Sequence, residues 1–447
     1  MLQFLRHTTK ALIIFLALIY YIVTGEIVMG AFFIGYFLLG SLFLSLFYRR
    51  KKSTVYFIYE LFYMVYGTLT LLTQIVLIKN PDINFYIHID ASHSFYYNIN
   101  EFILPCSWSE LPNKSLFNVY FTNYPIASFI MGAASKLGLD CGIENLRLYQ
   151  RVHIFLMAAL TPAIMASALE IRGVSQQIIR KSCVVFGVFS YLWIGSCIFT
   201  RDMHVTFIYV LFMYVFLHPN MKFKFVWFVL LAVLATGMRP LNGAISVLYI
   251  IAYYYSNKKR SVSTQYLFLL LIGVSIYVMF ETSLFEYATE KMSHFDEDAR
   301  ESTGLFSRVY NLPFPLDKIA ISIYMLMQPL PIQYYMIGAG KTFMTLPFVL
   351  SPYIMATVLA TTLYHTFKHF HLSDRYVMFI IISIIVFFAI NSGSPDLRRS
   401  FAAIPGLFVA YVLVKDKVPL SFRKGIRTYV YSAIFAASIL LTIYTLM

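Results

Sequence analysis

"ALIIFLALIYYIV" (residues 11–23) and "YVMFIIISIIVFFAI" (residues 376–390) are apolar runs without a single charge. At about 1.5 Å of rise per helical residue, such runs approach the length that crosses a hydrocarbon core of about 30 Å. The composition matches them: 59% of the 447 residues are hydrophobic and only 13% are charged. This balance excludes a soluble domain and predicts an all-α polytopic membrane protein, one integral-membrane domain over residues 1–447. The first run reads as an anchor rather than a cleaved leader, because no small-residue cleavage site follows it.

Spans at 11–24, 27–47, 54–78, 152–170, 183–199, 203–218, 224–238, 241–255, 264–281, 346–364, 376–391, 400–414 and 427–446 give about thirteen transmembrane helices. The net charge of +14 could point to nucleic acid, but the placement of the basic residues points to membrane orientation instead. Threading the chain through these spans puts Arg6, Lys10, "RRKK" (49–52), Arg172, Arg180, Lys181, Lys222, Lys224, "KKR" (258–260), Lys368, Arg375 and the 415–427 loop on one side. Their only acidic company there is Glu170, Asp374 and Asp416. That side is expected to be cytoplasmic, with the N-terminus inside and the C-terminus outside.

Two outer loops follow from this threading, 79–151 and 282–345, each expected to carry a re-entrant or interfacial helix. The first such helix, near 120–137, has Pro125 near its start. The second, near 319–335, is interrupted by "QPLPI". Together with the short turns at 200–203, 239–241 and 391–399 the loops make one outer face, and the unusual chemistry falls on it. "YIHIDASHSFYY" (86–97) places Asp90 just past the third span, either as a solvated loop acid beside an aromatic belt or as a working carboxylate. "FTRDMHVTF" (199–207) packs Arg201, Asp202 and His204 into a tight turn, as a salt-bridged hairpin or as a site. "ATGMRPLNGA" (235–244) sets Arg239 between two short helices, either snorkelling or recessed. "SPDLRRS" (394–400) adds Arg398 and Arg399. Four arginines on a face that should avoid them argue for a bound anion, since guanidinium suits bidentate phosphate contact. A phosphate-bearing lipid entering from the bilayer is the natural candidate, with Asp90 as the base.

The order of these elements, "DASHSFYY", "NYPIASFIMGAASKLG", the "RD" turn, "RPLN" and "RRSFAAIPGLFVAYVL", resembles the GT-C superfamily of polyprenyl-phosphate-sugar glycosyltransferases and the related O-antigen polymerases. "NLPFPLDK" (311–318) is similar to a Pro-Phe-Pro element of the latter. The chain differs from familiar members in having three spans before the acidic loop and no paired Asp-Glu motif within it. The resemblance implies sugar transfer from an undecaprenyl phosphate or diphosphate donor to a glycan or lipid-linked acceptor at the outer face of a bacterial inner membrane. It implies Asp90 as general base and Arg201, Arg239, Arg398 and Arg399 on the donor phosphate. His93, Tyr96, Tyr97, Tyr120, Tyr124 and Asp202 would contact sugar or acceptor. No obligatory metal or other cofactor, and no nucleic acid partner, is expected.

A flippase for a lipid-linked glycan is the alternative, although transporters place their ionisable residues at mid-membrane and the charges read here cluster on one side. Cys106 and Cys141 share the first outer loop and could pair in an oxidising compartment. "HTFKHFH" (365–371) is His-rich but falls on the inner side.

Overall fold

The computed structural model describes residues 2–47, 53–79, 97–118, 124–219, 221–239, 350–368 and 403–446, with scattered positions between 243 and 384. Among these residues the elements are all helical. They begin with α1 (Leu2–Thr24), α2 (Ile27–Phe47) and α3 (Ser53–Lys79), followed by α4 (Leu111–Leu116) and α5 (Pro125–Asp140). Next come α6 (Leu146–Ile171), α7 (Gln176–Val188), α8 (Leu192–Gly195), α9 (Asp202–Leu217) and α10 (Lys224–Met238). The last three are α11 (Ser351–Lys368), α12 (Ile404–Val414) and α13 (Leu420–Leu446).

Four helical stretches are long and apolar enough to cross a membrane: Phe4–Thr24, Ile27–Leu46, Thr54–Ile75 and Leu146–Ile171. α9 and α10 are apolar but shorter. The chain is therefore an all-helical membrane protein with four clear candidate crossings. Of the other expected spans, 264–281 lies outside the described residues, as do most of 241–255 and of 376–391. The expected span 183–199 is corrected by the structure. The helix stops at Val188, and the short α8 restarts at Leu192 with the Ser190 hydroxyl accepting from the Leu192 amide at 3.2 Å. Serine competes locally for backbone donors and so divides an apolar run that hydropathy reads as continuous.

α6 is the centre of the bundle. It is buried from Leu146 almost to its end and packs on α2, α3, α5, α7 and α9. Without a hydrophobic drive between helices in lipid, close packing and polar clasps must hold them together. Tyrosine supplies many of the clasps: Tyr20 donates to the Gly67 carbonyl at 2.8 Å, Tyr63 to Phe33 at 2.6 Å and Tyr66 to Gly187 at 2.8 Å. α1 and α2 turn Ile14, Phe15, Ile22, Leu38, Leu39 and Leu42 outward, as a lipid-facing surface requires.

The two ends of the bundle differ in chemistry. At one end Arg6 of α1 grips the buried Glu60 of α3 through two hydrogen bonds of 2.9 and 2.7 Å, with Lys10 at 3.6 Å. Following the helices across, the opposite end gathers the α1–α2 turn, the start of α6, the start of α9 and the end of α10. Glu26 there accepts from the Asn145 amide at 2.8 Å. α5, the segment expected to be interfacial, belongs to this second end. It has 16 residues, too few at about 1.5 Å each to span the core. In the expected second outer loop, Tyr310, Asp317 and Ile321 are buried, and 322–335 lies outside the described residues.

Candidate functional site

Four side chains singled out by their sequence context meet at the second end, and each sits at a helix terminus. Tyr124 is the residue before α5, whose first position is Pro125, a ring with its φ already set for a helix start. Arg201 precedes α9 and Asp202 opens it, where a carboxylate complements the helix dipole. Arg239 follows α10 in an extended conformation (φ −161°, ψ 118°), the conformation that Pro240 imposes on the residue before it.

These ends converge. The Arg201 guanidinium lies 4.3 Å from the Tyr124 ring centroid, a cation–π arrangement. Arg239 Nη2 stands 3.4 Å from Asp202 Oδ1, with the arginine side chain 18% exposed and the aspartate buried. At that distance the hydrogen bond is weak, so Arg239 is held but not saturated. Two guanidinium groups and one carboxylate thus stand at one end of the bundle, and in a partly dry setting charges interact more strongly than in water. Close helix contact holds the arrangement together. A Cβ on Gly237 of α10 would fall within the Ile126 side chain of α5, with Ile126 Cβ itself at 2.8 Å.

Asp90, His93, Tyr96, Tyr120, Arg398 and Arg399 lie outside the described residues. Tyr97 is described and is 57% exposed on the helical turn at 97–102. A hydrogen bond with Glu101 raises the pKa of its phenol, so its recorded partner is not one of the clustered residues. Asp202, expected to contact sugar or acceptor, is buried beside Arg239. Cys106 is buried with its thiol donating to the Ile103 carbonyl at 2.9 Å, whereas Cys141 is exposed. The two are free thiols and not the pair that the shared loop would allow.

Several polar residues near the cluster do not stand out in the sequence. α6 starts at Leu146, not at 152, because Asn145 caps it by accepting from the Leu148 amide at 3.2 Å. The extra turns carry Arg151 into the bundle, where its Nη1 donates to Gln74 of α3 at 3.0 Å. His153, just inside the expected span, packs against His204 of α9, ring centroids 5.5 Å apart, both rings buried. Asn145 was a legible helix start. Arg147 and Arg151 conceal it from any hydropathy reading that ends a span at its first charge.

Among the described residues no three His, Cys, Asp or Glu side chains come together as metal ligands. No family model matches the chain, and no curated protein or solved structure is significantly similar to it.

Proposed function

We propose that the chain is a membrane glycosyltransferase that takes a sugar from a polyprenyl phosphate or diphosphate at the outer face of a bacterial inner membrane. The reading rests on one observation above the others: Arg201 and Arg239, from the ends of different helices, converge at one end of the bundle, steadied by Tyr124 and Asp202. Guanidinium groups fixed in this way suit a phosphate that gains charge as its bond to the sugar breaks, and stabilising that charge lowers the barrier selectively. The acceptor hydroxyl attacks the anomeric carbon through an oxocarbenium-like transition state of the kind glycosidases use. Arg398 and Arg399 are proposed to complete the phosphate site, with Asp90, His93, Tyr96, Tyr97 and Tyr120 around the sugars. The proposal includes the GT-C-like architecture of about thirteen spans with the N-terminus cytoplasmic and the C-terminus outside, and a glycan or lipid-linked acceptor.

A flippase is the second reading, favoured by Arg151 and His153 within a helix long enough to span, since ionisable residues inside membranes commonly mark transport paths. Detergent separates the two, because it leaves no second compartment. Purified full-length protein should transfer radiolabelled sugar from an undecaprenyl-linked donor to an acceptor in micelles. Movement of lipid-linked glycan in sealed vesicles, with no transfer in micelles, would instead establish the flippase.

A further inference from the structure

His153 and His204 face one another inside the bundle with ring planes inclined by 50°, and the edge of Phe199 meets the His153 ring at 6.0 Å. Each residue is 3% exposed, and none of the four ring nitrogens has a hydrogen-bond partner among the described residues. A neutral imidazole carries one N–H donor and one lone pair. Burying such groups unpaired costs about 1–3 kcal/mol apiece, and native interiors rarely leave them so. A single bond between the rings would still leave one donor and one acceptor unmet. Among the described residues nothing meets these needs, and one partner that both donates and accepts would meet them together. A carboxylate only accepts and an ammonium only donates, whereas buried metals take three or four protein ligands and the pair supplies two. A hydroxyl fits.

We infer that His153 and His204 form a hydroxyl-binding site that takes up the proton of the acceptor alcohol, an inference that rests on the glycosyl-transfer reading above. His204 lies two residues into α9 from Asp202, about 3 Å of helical rise, which puts the pair at the same end of the bundle as the arginines. In the step, the acceptor O–H bond breaks and its proton passes to a ring nitrogen. The oxygen forms the new bond to the anomeric carbon. The old bond from that carbon to the phosphate oxygen breaks, and its electron pair leaves on the phosphate. The second imidazole then steadies the imidazolium by hydrogen bonding before the proton is lost to solvent. The base role expected of Asp90 passes to the pair.

The test uses full-length protein in detergent with undecaprenyl-phosphate-linked hexoses as donors, measuring single-turnover transfer and donor affinity separately. His153→Gln and His204→Gln should slow transfer by roughly two to four orders of magnitude, the scale of a lost general base, with donor affinity unchanged. Normal transfer by both glutamine variants overturns the inference. A second arm needs no variant and no turnover. In the ¹⁵N-histidine spectrum of the wild type, a panel of methyl hexosides should shift two imidazole signals that inorganic phosphate leaves in place, and no shift with any of them overturns the site. Should the wild type transfer nothing, the glycosyl-transfer reading and the proton step both fail. The histidine spectrum alone then decides whether the pair binds a hydroxyl.

Discussion

Arg239 is set by three neighbours in sequence and space: Pro240 holds its backbone extended, α10 ends beneath it, and Asp202 draws its guanidinium across to α9. A lysine there keeps the charge but loses the planar fork, and one charge-assisted hydrogen bond to a phosphate is worth about 1.5–3 kcal/mol. Arg239→Lys should therefore weaken donor binding by roughly ten- to a hundredfold while leaving the unfolding temperature within a few degrees, by titration of a polyprenyl phosphate into purified protein. A fall in stability with unchanged donor affinity would reduce Arg239 to a structural partner of Asp202. "RPLN" and "RD" made these residues legible because each breaks an apolar run. Arg151 and His153 were not legible, because their burial depends on Gln74 and His204 arriving from helices far away in the chain.

Single residues act here only because the elements bring them together, and the α5–α10 contact shows how tightly. Gly237 gives Ile126 room to lie directly on the α10 backbone, which fixes Tyr124 two residues earlier beside Arg201. Because Ile126 Cβ as well as its outer atoms stands in the way, Gly237→Ala must push the two helices apart, not merely turn a rotamer. Overpacking of this kind costs about 1–3 kcal/mol. The expected outcome is a lower unfolding temperature together with weaker donor binding, and replacing Ile126 by Ala in the same chain should restore both. The helices themselves were largely readable from apolar periodicity, and α10 begins and ends at the expected positions. The division of the 183–199 run was not, because the Ser190 hydroxyl takes the Leu192 amide just ahead of α8 in a bond that leaves hydropathy unchanged. The early start of α6 turns on the Asn145 cap, which hydropathy likewise does not register.

At the scale of the whole molecule, everything depends on which end of the bundle faces out. The chain pairs Arg6 and Lys10 with Glu60 at one end and sets Arg201, Arg239 and Tyr124 at the other, so the two ends cannot exchange roles. The native cysteines can report the orientation without any change to the sequence. Cys141 is the exposed one, one residue past α5 at the cluster end, whereas Cys106, Cys183 and Cys197 are buried. Burial also raises the Cys106 pKa, and the thiolate is the form that reacts. On the proposed inner-membrane placement, a membrane-impermeant maleimide applied to cells with an opened outer membrane should therefore add one label, lost in Cys141→Ser, with no rapid second label after the inner membrane is permeabilised. Labelling that appears only after that permeabilisation would put the arginine cluster on the cytoplasmic side. The basic loops would then face outward against the positive-inside rule, and a lipid-linked donor presented at the outer leaflet could not reach the cluster at all.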